Sequence, residues 1–378
     1  KTIKEINAID SLTLEIETYK PDVLLDRRFG TILLPEPWVY EELGPENFYK
    51  NPVGTGSFKL KSLNLSSQRP VLIKNHKSWR PSLAIDRVEI RVVKDSTTLV
   101  QALMSGIVDL GSNFGITEID ILANNKYNII NRPGGIIAAL ALSNKNPDSP
   151  FYDVRVRQAV NYAVDKDSIA KIIMSNITKP AGQPGVLGMS GYNTKVKPYP
   201  YEPYKAKQLL NEAGYEKGFN FRAEVLISGG VTEAASMYQK IAQDLSKIGI
   251  SMEVKPLQGP QWIRKYFSGD WGKADAISAT WNSAAYWDVV RAIEIFSCKK
   301  PGAFFCIPDL MPTIDSTHSM FKKEERSRSL KKLSKTMHDL APSLFLVEIV
   351  DIIALKKNFY NAKFRHKQLA VEKLLVRK

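Results

Sequence analysis

The groups in this sequence equipped for metal or nucleophile chemistry are few: four histidines and two cysteines among 378 residues. Cys298 and Cys306 are separated by Lys299-Lys300-Pro301-Gly302-Ala303-Phe304-Phe305, whereas paired zinc cysteines stand about two to four residues apart. Metal binding is therefore not expected. Two cysteines alone in a long chain, close together and flanking Pro301-Gly302, read more easily as one staple across a small loop than as two buried thiols. A staple implies an oxidising compartment. His318, His338, Glu324 and Glu325 are the concentrated acid/base candidates, but no nucleophile, base and orienting group can be assembled from their spacing. We assign no catalytic residue, metal ligand or cofactor, and expect a protein that is not an enzyme. Recognition chemistry is open to Trp281-Asn282-Ser283-Ala284-Ala285-Tyr286-Trp287, which offers neutral donors and ring faces suited to sugars or flat ligands. Either tryptophan can equally be a core residue.

Charge narrows the partners. The chain carries 53 Lys+Arg against 39 Asp+Glu, a formal net charge of +14. Nucleic-acid binding wants basic residues gathered on one surface with aromatics interleaved, and here they are scattered. The densest run, residues 322–332, mixes both signs at i,i+4 spacing, with Lys322 over Arg326 and Glu324 over Arg328, as a solvated helix face does. No nucleic-acid partner is expected; the charge instead steers the chain towards anionic surfaces or small anions. The longest apolar runs, 136–142 and 344–350, fall short of the ~20 residues of a bilayer span. No basic and apolar leader pattern is visible at Lys1, so a signal peptide is expected to have been removed or to precede this sequence.

The elements that must position these residues are legible from periodicity. At roughly 100 to 200 residues per domain the length suggests two or three domains. Ile3, Ile6 and Ala8, then Asp10-Ser11, then Leu12, Leu14 and Ile16 read as a hairpin. A Pro-punctuated stretch, 35–52, leads into a turn and an alternating strand from Phe58. Gly54 and Gly56 lack the Lys and Ser/Thr of a phosphate loop, and the strand follows rather than precedes them, so they mark a turn. Strands at 88–92 and 107–110 alternate with helices at 96–106 and 116–124, an α/β layer. The run 134–144 reads as a buried central strand. Asp153 caps a helix that continues through 165–174, Pro203 opens another, and Thr232 caps a third that ends at Gly249. A strand returns at 250–254, and strand character reappears over 340–354. Two α/β lobes with a late chain return describe a hinged clamshell, without internal repeat or low-complexity linker.

At Asn51-Pro52-Val53-Gly54-Thr55-Gly56-Ser57-Phe58 the sequence resembles the family 5 extracellular solute-binding proteins, whose members commonly read N-P-[VI]-G-T-G-[PS]-[FY] here. These are the dipeptide, oligopeptide and nickel receptors of ABC importers. The resemblance continues through Phe151-Tyr152-Asp153-Val154-Arg155-Val156-Arg157-Gln158-Ala159-Val160-Asn161-Tyr162-Ala163-Val164-Asp165-Lys166 and Lys205-Ala206-Lys207-Gln208-Leu209-Leu210-Asn211-Glu212-Ala213-Gly214-Tyr215, and ends at Met337-His338-Asp339-Leu340-Ala341-Pro342. It implies a type II-like periplasmic-binding-protein clamshell. Relative to the family the sequence is expected to be truncated at its N-terminus. Residues 1–80 would be the remnant of a small extra subdomain, 81–142 plus 356–378 lobe I, and 143–355 lobe II. The implied protein is a periplasmic or otherwise extracytoplasmic, membrane-associated monomer that hands a small molecule or peptide to ABC permease subunits. The alternative is a remnant or scaffold without competent ligand binding.

The resemblance also marks departures. Peptide-binding members carry an Asp three residues after a Trp to pair with the peptide amine; Trp281 matches that Trp, and Ala284 stands at the Asp. Losing a charge-assisted bond of roughly 1.5–3 kcal/mol should remove the preference for a free amino terminus, although Asp288 offers a substitute one turn on. The arginine that holds the peptide carboxylate in dipeptide-binding relatives has no counterpart in 231–239. An opine, sugar derivative or chelate is therefore as eligible as a peptide. Cys298 and Cys306 fall where some relatives carry a lobe II disulfide. The ligand is expected between the lobes, against Trp281, Asn282, Ser283 and Tyr286 on one side and Gly134, Gly135 and Ile136 on the other.

Overall fold

The computed structural model describes residues 2–377 except 65, 68, 81–83, 94, 125–126, 228–232, 301 and 366–367. The chain forms two compact units, one of Lys1–Phe29 and Pro133–Val350, the other of Gly30–Arg132 and Asp351–Lys378.

The larger unit is built on a mixed sheet. The strands Phe219–Leu226 and Ile250–Leu257 run parallel in register from Phe219 opposite Ile250 to Leu226 opposite Leu257. Joining them is the helix Ala234–Ser246, whose buried Met237, Tyr238, Ile241 and Leu245 make one apolar stripe at helical spacing. The strand Ala276–Asn282 lies parallel to 219–226 on one side and antiparallel to Tyr127–Leu142 on the other; beyond that comes Ser343–Lys356. Along 127–142 the change from partly exposed to wholly buried falls at Gly134, and every residue from there to Leu142 is buried. That is the expected pattern for a strand covered on both faces. Ile137, Ala139 and Ala141 share one core with Ile277, Ala279 and Trp281, with Val289, Ile293 and Phe296, and with Leu330, Leu333 and Met337. The last three sit at helical spacing on Lys323–Leu340, where Glu324, Glu325 and Arg328 are exposed as expected; Arg326, expected on the same solvated face, is instead buried because it pairs with Asp288.

Several local expectations hold. The hairpin forms between Ile3–Ala8 and Leu14–Thr18. Asp153 accepts the Arg155 backbone N–H at 2.8 Å and opens Val154–Ala163, and Pro203 opens Pro203–Glu212. The segment expected to continue helically to 174 does so over 166–173, its first part the α-helix Lys166–Ser168 and its second the π-helix Ile169–Ile173. The capping role expected of Thr232 lies outside the described residues.

In the smaller unit the Pro-punctuated stretch, to which no element was assigned, carries a helix, Pro37–Lys50, broken at Gly44, where φ is +69°. Pro37 and Pro45 each begin a helical piece, where the missing N–H is not needed. A three-stranded antiparallel sheet follows, Phe58–Asn64, Arg69–Lys74 and Arg87–Glu89, the last shorter than its apolar pattern suggests. The helices Ser96–Met104 and Ile116–Ala123 form as expected. The strand expected at 107–110 lies at Leu110–Ser112, antiparallel to residues 353–355.

Candidate functional site

The stretch singled out for recognition begins where the 276–282 strand leaves the sheet. Trp281 pairs with Ile137 and Asn282 with Ile136, and the Ser283 N–H donates to the Gly135 carbonyl at 3.0 Å, extending the ladder by one step. The chain then turns. The Asn282 side chain accepts the Ala284 N–H at 3.2 Å, and the Ser283 carbonyl accepts the Trp287 N–H at 2.8 Å. Gly134, Gly135 and Ile136 are thus neighbours of Asn282 and Ser283 in one sheet, and do not face them across a ligand as the sequence suggested. The reason is the antiparallel pairing of two strands that looked like parts of different lobes. Gly135 is required here: φ is +71°, and a Cβ would come within 2.8 Å of the Trp287 ring and 3.1 Å of the Ala284 Cα.

Trp281 stands behind this turn. It is fully buried, its ring stacks on Phe296 with centroids 4.5 Å apart, and its Nε1 donates to the Ser343 hydroxyl at 3.0 Å. Ser283, Gly134, Gly135 and Ile136 are buried too, which leaves Asn282 and Tyr286 as the partly exposed side chains of the seven expected. Tyr286 lies between two guanidinium groups, Arg28 at 5.3 Å and Arg291 at 5.6 Å from its ring centre, and its carbonyl accepts from Arg27. Trp287 takes φ +51° and donates from Nε1 to the Gly188 carbonyl. Ala284 is buried, so no amine anchor stands there. Asp288 does not replace it: its buried carboxylate accepts from Arg326 at 2.6 Å and from the Val290 N–H at 3.1 Å.

Sequence reasoning missed a cavity of about 220 Å³ that begins at Asn282 and runs beneath the helix Gly259–Ser268. Trp262 and Tyr266, one helical turn apart, stack with centroids 5.0 Å apart at 14°, and Trp271 and Phe304 close the apolar end. Lys300 places its ammonium 3.4 Å from the Tyr266 ring centre and donates to the Tyr266 carbonyl at 2.9 Å, at the C-terminal end of that helix. Burial pushes the Lys300 pKa down. Arg291 donates to the Asn282 carbonyl. Burial raises the Tyr266 phenol, and the Arg291 charge opposes that shift. The loop bearing Lys300 can reach the helix because Gly269 and Gly302 touch; a Cβ on Gly269 would meet the Gly302 Cα at 2.7 Å.

Other candidates are dispersed. Cys298 and Cys306 are bonded, Cα to Cα 4.5 Å, as the staple reading expects. His318 Nε2 lies 2.8 Å from Glu294. Burial alone would raise the Glu294 carboxyl, but hydrogen bonds from His318 and Lys299 outweigh it and hold it at about 2. His338 stacks on Tyr199 at 4.2 Å, and burial lowers its pKa against a hydrogen bond to the Gly182 carbonyl. Glu324 and Glu325 are exposed. Among the described residues no cluster of three or more His, Cys, Asp or Glu is arranged to hold a metal ion, and no helix is long and apolar enough to cross a membrane.

This mixed α/β fold is that of the periplasmic solute-binding proteins. The chain belongs to the bacterial extracellular solute-binding proteins, family 5 Middle, whose family model matches residues 1–303. It is 30% identical over 257 residues to heme-binding protein A of Haemophilus influenzae, covering 66% of this chain and 46% of that one. It is 30% identical over 270 residues to the glutathione-binding protein GsiB of Escherichia coli, covering 69% and 50%. The chain thus spans about half the length of the curated relatives it matches. Among solved structures it resembles the periplasmic binding protein DppA of Helicobacter pylori in complex with the peptide STSA, with a TM-score of 0.81 at 22% identity, over 100% of this chain and 75% of that one.

Proposed function

We propose that this chain is the solute-capturing component of an ABC importer, binding a small solute beside the turn that follows the 276–282 strand and delivering it to membrane permease subunits outside the cytoplasm. Family membership supports the general role, as do relatives named for heme, glutathione and peptide binding. The observation that carries the site is the turn itself. The C-terminal end of a sheet strand delivers Asn282 and Tyr286, partly exposed, into a scaffold fixed by Gly135 and Trp281. With Ala284 in place of an acid and Asp288 taken by Arg326, the solute is one that does not depend on a free amine. The residues described offer binding surfaces and no catalytic grouping, so capture without turnover is the reading we adopt. Mass spectrometry of small molecules that co-purify with the protein, followed by calorimetric titration of each compound found, tests it. A stoichiometric solute with micromolar or tighter affinity supports capture; a preparation free of solute that also binds none of the importer substrates offered overturns it.

A further inference from the structure

We propose that the cavity beneath the 259–268 helix receives the anionic group of a ligand with a flat apolar body, held by Lys300 and Arg291 against the stacked Trp262 and Tyr266. The inference rests on the solute-capture reading, because Asn282 belongs both to the turn and to the cavity.

Two cations line this small space, and none of its lining residues is acidic. Neighbouring cations of the same unit are neutralised directly: Lys299 by Glu294 at 2.5 Å and Asp315 at 3.0 Å, and Arg326 by Asp288 at 2.6 Å. Lys300 and Arg291, by contrast, have no carboxylate within ion-pair distance among the described residues. Each is oriented by one backbone carbonyl, that of Tyr266 and that of Asn282. An ammonium has three N–H donors and a guanidinium five, so most of their donor capacity stays open. A half-buried cation without a counter-charge bears a desolvation penalty that an incoming anion relieves, and donors fixed in advance need no reorganisation to receive it. The walls decide the rest of the ligand. Trp262 and Tyr266 stack on each other and Trp271 and Phe304 meet edge to face at 6.1 Å, so together they line the cavity with an aromatic wall against which an apolar ring can pack. A volume of about 220 Å³ is small for a whole drug-sized ligand and suits one ring system with its acidic group.

The test is calorimetric titration of the full chain, Lys300→Met and Arg291→Gln with 2-naphthoate, its neutral isostere 2-naphthamide, and 2-naphthyl phosphate. The carboxylate should bind at least about tenfold more tightly than the amide, and each substitution should weaken it by about tenfold while leaving amide binding unchanged. The phosphate arm tells which acid the pair prefers. Thermal unfolding checks that each variant is folded; should Lys300→Met unfold through loss of its bond to the helix end, Arg291→Gln alone decides. Equal affinity for acid and amide, absence of acid binding at millimolar concentration, or undiminished acid affinity in the folded variants overturns the proposal. Those results leave solute capture standing wherever a co-purifying solute is found, so the two failures are distinguishable.

Discussion

Arg326 and Asp288 form a buried ion pair, Nη1 to Oδ2 2.6 Å, between the 323–340 helix and the segment that follows the 276–282 strand. Arg326 also donates from Nε to the Thr317 carbonyl at 2.9 Å, so the guanidinium joins three segments of one core. Removing Arg326 leaves the buried Asp288 carboxylate with the partly exposed Arg27 at 3.9 Å in its place, and removing Asp288 leaves a dry guanidinium. We expect Arg326→Met to lower unfolding free energy by about 3–5 kcal/mol, and Asp288→Asn combined with Arg326→Met to lose less than the sum of the single changes. Urea denaturation of the four proteins checks this; additive losses would show that the pair is not coupled.

Trp281 is a core residue in this fold, and its replacement should be read in stability. Trp281→Ala removes the stack on Phe296 and the bond to Ser343, for a loss of about 3–5 kcal/mol. Trp281→Phe should lose less, since it keeps a ring in the space. A Trp281→Ala protein with unchanged melting temperature would move the side chain out of the core.

At Gly135 the objection to a side chain is both torsional and steric. Gly135→Ala, at φ +71° and against the Trp287 ring, should destabilise by about 1–3 kcal/mol. It should also alter the near-ultraviolet dichroism of the tryptophans. An unaltered spectrum and melting curve would contradict the packing described.

If a peptide is taken at all, its amine should count for little. A dipeptide and its N-acetyl form should bind with affinities within about threefold, because Ala284 is apolar and Asp288 is already engaged. A strong calorimetric preference for the free amine would place an unrecognised carboxylate at the site.

Lys166 provides a pH test. It is buried, donates to the Asn161 carbonyl at 2.7 Å, and is pushed by burial from 10.5 to about 7. Between those values the unfolded chain binds the proton and the folded one does not, so stability due to this group rises with pH across that window and is lowest below about 7. Lys166→Met should therefore gain most relative to the parent at pH 6 and progressively less towards pH 10. A pH-independent difference between the two melting temperatures would mean that the ammonium is not desolvated.

How much of this was legible in the sequence depended on whether the signal was local. The 134–142 strand and the cap at Asp153 announce themselves through an apolar run and a capping residue, whereas the stripe Leu330, Leu333, Met337 was hidden by the charges around it. The broken helix at Pro37–Lys50 did not announce itself, because its two prolines stood out as punctuation when in fact each begins a helical piece. The disulfide was readable from spacing and from relatives. The site was only half readable. The turn at Asn282 follows from a strand end, but Trp281 has the same composition signal whether it faces a ligand or Phe296. Arg291 and Lys300 looked like two more scattered cations in a basic chain; their shared cavity exists only after the 298–306 loop folds against the 259–268 helix.

That loop makes readiness to bind a matter of timing. The bond between Cys298 and Cys306 encloses Lys300 and Gly302, and so restrains the segment that carries the ammonium to the Tyr266 carbonyl. In a freshly made chain with free thiols the same segment has more conformations to lose before Lys300 can be set in place. The disulfide thus restrains the lining of the cavity as well as the loop itself. With the thiols free, Lys300 would meet the end of the 259–268 helix less often, and the two cations would line their shared cavity for less of the time.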